Sequence, residues 1–285
     1  MTILKNIHST AEDYQQLTEF YAAYKDEWFS SINLSLKQWF SANMSAPLGA
    51  LLDLLQENVN DVAFDDIDQN IKVILQKNQF LTHFGYPAQR DNHTTTISYQ
   101  KIKPEDSRYF HYYVQTQLFG RPELPVMSDG LRRKMTEAVF ELFVNAQIHS
   151  KTTHIYTCGQ FFPKKGEIEF CIVDTGIGIQ GSIRSRFKRD LPPIAAILWA
   201  VQDRNTTKIS VSGGIGLALL HEFVQKNKGS IQIVSGQGFY QYDESGTQTQ
   251  LLTAPFTGTI VNVRFRTNDT NNYALASEAE DDDLF

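Results

Sequence analysis

No stretch of this chain approaches the roughly 20 consecutive apolar residues that a bilayer-spanning helix needs, and its first residues lack the basic-then-apolar order of a secretion signal. A cytoplasmic protein without a membrane partner is therefore expected. Cysteine is scarce. Only Cys158 and Cys171 occur, each inside an apolar β-like run and without a second ligand pair at metal spacing, so a disulfide framework and a zinc cage both drop out. Buried reduced thiols remain. Basic charge is not in excess either. The formal net charge is −6, and Glu278, Glu280, Asp281, Asp282 and Asp283 supply five of the negative charges within the last eight residues. The body is thus nearly neutral and lacks the basic face that direct nucleic-acid binding requires. A phosphate-binding P-loop is excluded as well, because no glycine is followed by Lys-Ser or Lys-Thr at the required spacing.

At 285 residues the chain is long enough for two domains, each with its own core. In the first, Tyr14, Leu17, Phe20, Tyr21, Tyr24 and Trp28 recur at helical spacing. Ile32, Leu34 and Leu36 then alternate as in a strand, and Pro47 stands near the start of a Leu-rich helix, Ala50 to Gln56. A second short strand, Asp61 to Phe64, precedes a helix from about Ile67 to Phe84. This alternation predicts a small α/β domain over residues 1–90, and the run Ile32 to Phe64 resembles STAS-like domains of anti-sigma-factor antagonists. The stretch Gly85 to Thr96 is polar, with Pro87, Asn92 and three threonines, and reads as a linker; between the two domains the linker is placed at 91–102. A helix from about Glu105 to Phe119 follows, then a turn with Pro122 and Pro125, then a long helix whose N-cap is Ser128 or Asp129.

On that long helix Val139, Phe143 and Ala146 share an apolar face, while Glu137, Glu141, Asn145 and His149 fall four residues apart as one polar stripe. Taken alone, such a stripe is a solvated surface. Two glycine-rich segments downstream change its meaning. Phe170 to Asp174 reads as a strand ending in an aspartate, followed by Gly176-Ile-Gly178. Gly213-Gly214-Ile215-Gly216-Leu217 feeds glycines into an apolar helix, which offers free N–H groups to phosphate oxygens. Gly176-x-Gly178-x-x-Gly181 also fits a dinucleotide-binding fingerprint, but the expected second strand with its acidic residue is replaced by a helix-like run, Pro193 to Val201.

Glu141-x-x-x-Asn145, Asp174-x-Gly176-x-Gly178, Gly214-x-Gly216 and Gly258-Thr259, in this order, resemble the GHKL superfamily of gyrases, Hsp90-like chaperones, histidine kinases and mismatch-repair ATPases over residues 100–268. The branch most similar is that of histidine kinases and anti-sigma-factor kinases. The resemblance implies an α/β fold class: a Bergerat-type α/β sandwich over 103–268, a mixed sheet with helices on one face, preceded by the smaller N-terminal domain. It implies ATP and Mg²⁺ as ligand and cofactor. Asn145 would offer a neutral oxygen to Mg²⁺, and Glu141, one turn earlier, would orient or deprotonate a water or hydroxyl. Asp174 would accept from the adenine amino group, with Gly176 and Gly178 letting the backbone pass the base and Thr259 completing the base site. Gly213, Gly214 and Gly216, with the N–H groups of Ile215 and Leu217, would cradle the phosphates. An ATP lid is placed at about 180–212; it is basic, and Lys208 is the expected γ-phosphate contact.

Three functions fit such a pocket: a slow ATPase whose lid state switches partner binding in bacterial-type signalling or stress response, a serine or histidine protein kinase, and a nucleotide-gated binding module without turnover. A protein partner would meet the N-terminal domain, the lid or the tail, and a homodimer is compatible with all three. Residues 269–285 read as a disordered acidic tail, whose terminal Leu284-Phe285 resembles the partner-docking tip of bacterial single-stranded-DNA-binding proteins.

Overall fold

The structure is a computed structural model and describes residues 2–202 and 215–279. It begins with β1 (Thr2–Ile7), a strand the hydrophobic pattern did not reveal, then α1 (Ala11–Tyr24), β2 (Ser31–Phe40), α2 (Ser45–Glu57), β3 (Asp61–Ile67) and α3 (Gln69–Lys77). The three strands form a parallel sheet in the order β1-β2-β3. Helix α1 starts at a capping box: the Thr10 hydroxyl takes the Asp13 N–H, and the Asp13 carboxylate takes the Thr10 N–H. Helix α2 is buried from Ser45 through Leu52, whichever face each residue occupies. Burial on every side means that a second layer covers this helix.

That layer is a five-stranded sheet, in the order β4-β5-β6-β8-β7, built from β4 (Thr96–Ile102), β5 (Ile155–Phe162), β6 (Glu167–Asp174), β7 (Ser230–Asp243) and β8 (Gly246–Arg266). Every strand pair in it is antiparallel, so the expected mixed sheet is corrected. The reason is local: β5 and β6 are joined by residues 163–166, β7 and β8 by residues 244 and 245, and connections this short can only reverse the chain. The expected linker at 91–102 is corrected likewise, since its second half is β4. There Ile97 packs with the helical layer and Tyr99 with the N-terminal unit's core, the register shifting after Ile97, and the Asp91 carboxylate fixes the entry by accepting from the Thr96 N–H at 2.7 Å.

Helices α4 (Ser107–Tyr113), α5 (Asp129–Asn145), α7 (Pro193–Val201) and α8 (Ile215–Asn227) lie on one face of this sheet, and α6 (Gly178–Phe187) joins α7 at its margin. Strand β6 shows how both faces are used. Ile168, Phe170 and Ile172 pack with α5 and α8, whereas Cys171 and Val173 pack with Leu48, Leu51 and the rest of the N-terminal unit's core. Successive side chains point to opposite faces, so all eight residues of β6 are buried.

The seam between the units also carries polar groups. The Glu169 carboxylate accepts from Ser9 Oγ at 2.8 Å, Asn43 Nδ2 at 2.8 Å and Asn262 Nδ2 at 3.0 Å. Ser9 and Asn43 follow the carboxyl ends of β1 and β2, the edge where open parallel sheets usually offer a binding crevice. Here that edge is spent on docking. Farther along, the β7–β8 ribbon lies between two helices: a Cβ at Gly238 would sit 2.7 Å from Ile197 of α7, and its neighbour Phe239 meets Tyr14 of α1 at 5.9 Å between ring centres.

Part of the tail is folded too, which corrects the expected disorder of 269–285. Tyr273 pairs with Met127, and a short helix α9 (Ala276–Ala279) follows; residues 280–285 lie outside the described residues. No helix among the described residues is long and apolar enough to cross a membrane.

Candidate functional site

Strand β6 ends at Asp174, directly across from Thr259 of β8. The chain turns there. Asp174 Oδ1 accepts the Gly176 N–H at 2.9 Å, and the carboxylate is only 7% exposed. Burial pushes its pKa up to about 7, opposed by the bonds from Gly176 and Thr259. A carboxylate kept in so dry a corner, with oxygen capacity left over, is suited to accept from an amino group of a flat ligand.

The glycines of this corner are required by close approach. Gly178 has φ +66°, and a Cβ there would lie 2.7 Å from Ser235 Oγ and 3.0 Å from Gly258 O. Gly258 has φ +106°, and its Cβ would lie 2.0 Å from Asp174 O. Ser235 of β7 ties the pieces together: its hydroxyl donates to Gly258 O at 2.9 Å and accepts the Ile179 N–H at 2.9 Å. Thr175 is held from the other side, donating its N–H to Thr152 Oγ1 at 3.2 Å. Neither Ser235 nor Thr152 belongs to a motif, and only strand register could have pointed to Ser235, which faces Thr259 in the β7–β8 pairing.

Glu141 and Asn145 stand on the last turns of α5 and are both half-buried. The polar stripe divides. Glu137 is out in solvent, ion-paired with Lys134 at 2.9 Å, as an ordinary surface residue would be. Past Asn145 the helix widens into a π turn, Ala146–Ser150, which adjoins α6. Helix α8 packs along α5, so its first turn, opened by Ile215, Gly216 and Leu217, is brought to the same side of the sheet as Asn145. Lys208, Gly213 and Gly214 lie outside the described residues, and so does the side chain of His149. Of the lid span, Gln180 to Phe187 falls in α6 and Pro193 to Val201 in α7.

The dinucleotide fingerprint fails on topology. A helix does open at Gly178, but a second helix, α7, follows where the fingerprint needs a strand, and β6 has only antiparallel neighbours, so the parallel strand–helix–strand unit is missing there. The cysteines face each other across β5 and β6, free and fully buried, and burial pushes both thiols far up.

For Mg²⁺, the fit rests on donor chemistry. Asn145 bears an amide, a neutral oxygen donor, one turn after Glu141 on α5. Such a position suits an ion that takes its other ligands from phosphate and water.

Residues 130–266 match the family described as histidine kinase-, DNA gyrase B-, and HSP90-like ATPase, a span running from α5 to the end of β8. No curated protein matches the chain. The matched span carries the whole corner at Asp174, and the chain therefore contains a GHKL-type ATP-binding domain.

Proposed function

We propose, from a GHKL-type ATP-binding domain at residues 130–266, that this protein is a slow Mg²⁺-dependent ATPase whose nucleotide state switches the binding of a protein partner. The observation that carries the base site is Asp174, a buried carboxylate with Thr259 beside it and glycines on both approaches. In this reading Asp174 selects adenine, because guanine presents an oxygen where adenine presents the amino group. Asn145 holds Mg²⁺, whose chemistry when bound is to neutralise charge on the phosphates. Glu141 orients and deprotonates the attacking water. Gly216 and the N–H groups of Ile215 and Leu217 receive phosphate oxygens, with Gly213, Gly214 and Lys208 completing the cradle.

The N-terminal unit is proposed as a STAS-like partner domain, supported by its strand–helix alternation and three parallel strands. Phosphotransfer to its own serines at the head of α2 is less well supported. Ser41 is 3% and Ser45 0% exposed, both under the five-stranded sheet.

The test is phosphate release from Mg·ATP by wild type, Glu141→Ala and Asp174→Asn, with binding followed by calorimetry. Turnover lost in Glu141→Ala while ATP still binds supports the ATPase. Equal phosphate release from wild type and Glu141→Ala would leave a binding module.

A further inference from the structure

Two aromatic side chains are displayed at the edge of the N-terminal unit opposite to its docking loops. Trp28 is 58%, Phe29 78% and Val59 59% exposed. Phe29 and Val59 adopt left-handed backbone, φ +54° and +59°, which is costly for a bulky and for a β-branched residue. Two asparagines impose it. Asn58 Nδ2 donates to Lys25 O and Asn60 Nδ2 to Glu27 O, each at 2.9 Å, while Asn60 Oδ1 takes the Ser30 N–H at 2.9 Å. The rings are thus held outward on a braced loop. Around them stand exposed Asp26, Glu27, Glu57 and Asp61, with Lys25 as the nearby cation.

The opposite chemistry occurs on the ATP-binding domain. A cleft of about 760 Å³ is lined by Lys151, Ile177, Arg184 and Lys188, with Asp190 held by Arg184 at 2.6 Å. Ile177, 41% exposed, supplies its apolar wall, and Gly181 and Ser185 of α6 complete the lining.

We infer that the protein binds a second copy of itself head to tail, the Trp28–Phe29 knob of one molecule seating in the Lys151–Lys188 cleft of the next. Charge complementarity selects the occupant, since an acidic-rimmed apolar knob and a basic-rimmed apolar cleft are both built into this chain. Knob and cleft are different surfaces, so the contact is heterologous and closes into a ring or continues as a filament. The cleft borders α6, which opens at Gly178, so its occupant touches the element leading out of the Asp174 corner. The contact does not depend on ATP being the ligand.

Sedimentation velocity of the full chain tests it, over a concentration series at low and high salt. The wild type is expected to gain mass with concentration and to lose it with salt. W28S/F29S and R184E/K188E should each stay monomeric. D26K/E27K alone should stay monomeric too, yet an equimolar mixture of D26K/E27K with R184E/K188E should associate, because each copy then offers the other a matching surface. Circular dichroism and melting identify any variant that fails to fold, and the mixture supplies its own control, since restored association requires two folded chains. A wild type monomeric throughout, association that survives both aromatic and cleft variants, or a mixture that stays monomeric overturns the inference. Removing residues 280–285 should leave association intact; if it abolishes association, the acidic tail is the occupant and the inference fails.

Discussion

Asp174 is placed where it costs the fold stability. Its folded pKa, about 7, lies above the ordinary carboxylate value of 3.8, so the folded state binds the extra proton between those two pH values. The penalty is absent below about pH 4, grows as pH rises, and is complete above pH 7, where it reaches at most about 4 kcal/mol. Asp174→Asn should therefore melt higher than wild type without nucleotide at pH 8, by about 5 °C, and lose that advantage near pH 4. The same variant should bind ATP poorly, and a variant that neither gains stability nor loses ATP would sink the assignment. Wild-type ATP affinity should rise as pH climbs through about 7, since the ionised carboxylate is the better acceptor; titration calorimetry at pH 6 and 8 reads it. Gly258→Ala should lower stability by about 2–4 kcal/mol, because its methyl would meet Asp174 O, and denaturant unfolding measures that. At this scale the sequence was informative where chemistry is strung along the chain: Asp174 and its glycines could be read from one strand and its turn. Ser235 could not, because its role exists only once β7 lies beside β8.

Helix α5 is capped from both ends of its domain. Ser128 accepts the Leu131 N–H at 3.1 Å, as an N-cap should, and Glu278 from the C-terminal segment takes the Ser128 hydroxyl at 2.5 Å. The Ser128 bond holds the Glu278 carboxyl below its usual range, and a negative group there meets the positive end of the helix. Tyr273 reinforces the strap, its ring on Phe223 of α8 at 5.0 Å and its hydroxyl donating to Lys226 O at 3.2 Å. The C-terminal segment thus ties together the two helices that bear Asn145 and Gly216. Glu278→Ala should speed amide hydrogen exchange at Gly130 and Leu131, an effect present at neutral pH and lost as pH falls below the carboxylate range. Exchange unchanged in Glu278→Ala would mean that Ser128 alone holds the helix start. Elements with strong periodicity, α1, α5 and β6, were legible from the sequence. The short edge strand β1 and the strap were not, because the partners that hold them come from distant parts of the chain.

At the scale of the molecule, the two units share one core. Phe40, Leu48 and Leu52 pack with Tyr156, Cys158 and Val173, and Asp53 meets Tyr156 at 2.7 Å and Lys101 at 2.5 Å. A chain beginning at residue 91 should therefore leave a sheet face of valine, cysteine and tyrosine bare and aggregate, whereas the full chain should unfold in a single calorimetric transition. Two separated transitions would show that the units are stable apart. The sequence suggested two domains and a linker because the hydrophobic runs are read one at a time, and a strand buried on both faces does not say what covers its second face. The β7–β8 ribbon gives this shared core a directional property. It is one backbone thick, with α7 against Gly238 and α1 against Phe239. Like a drumhead, it puts only a backbone between the two helices at Gly238, so a displacement of α7 would bear directly on the strand that carries Phe239 against Tyr14.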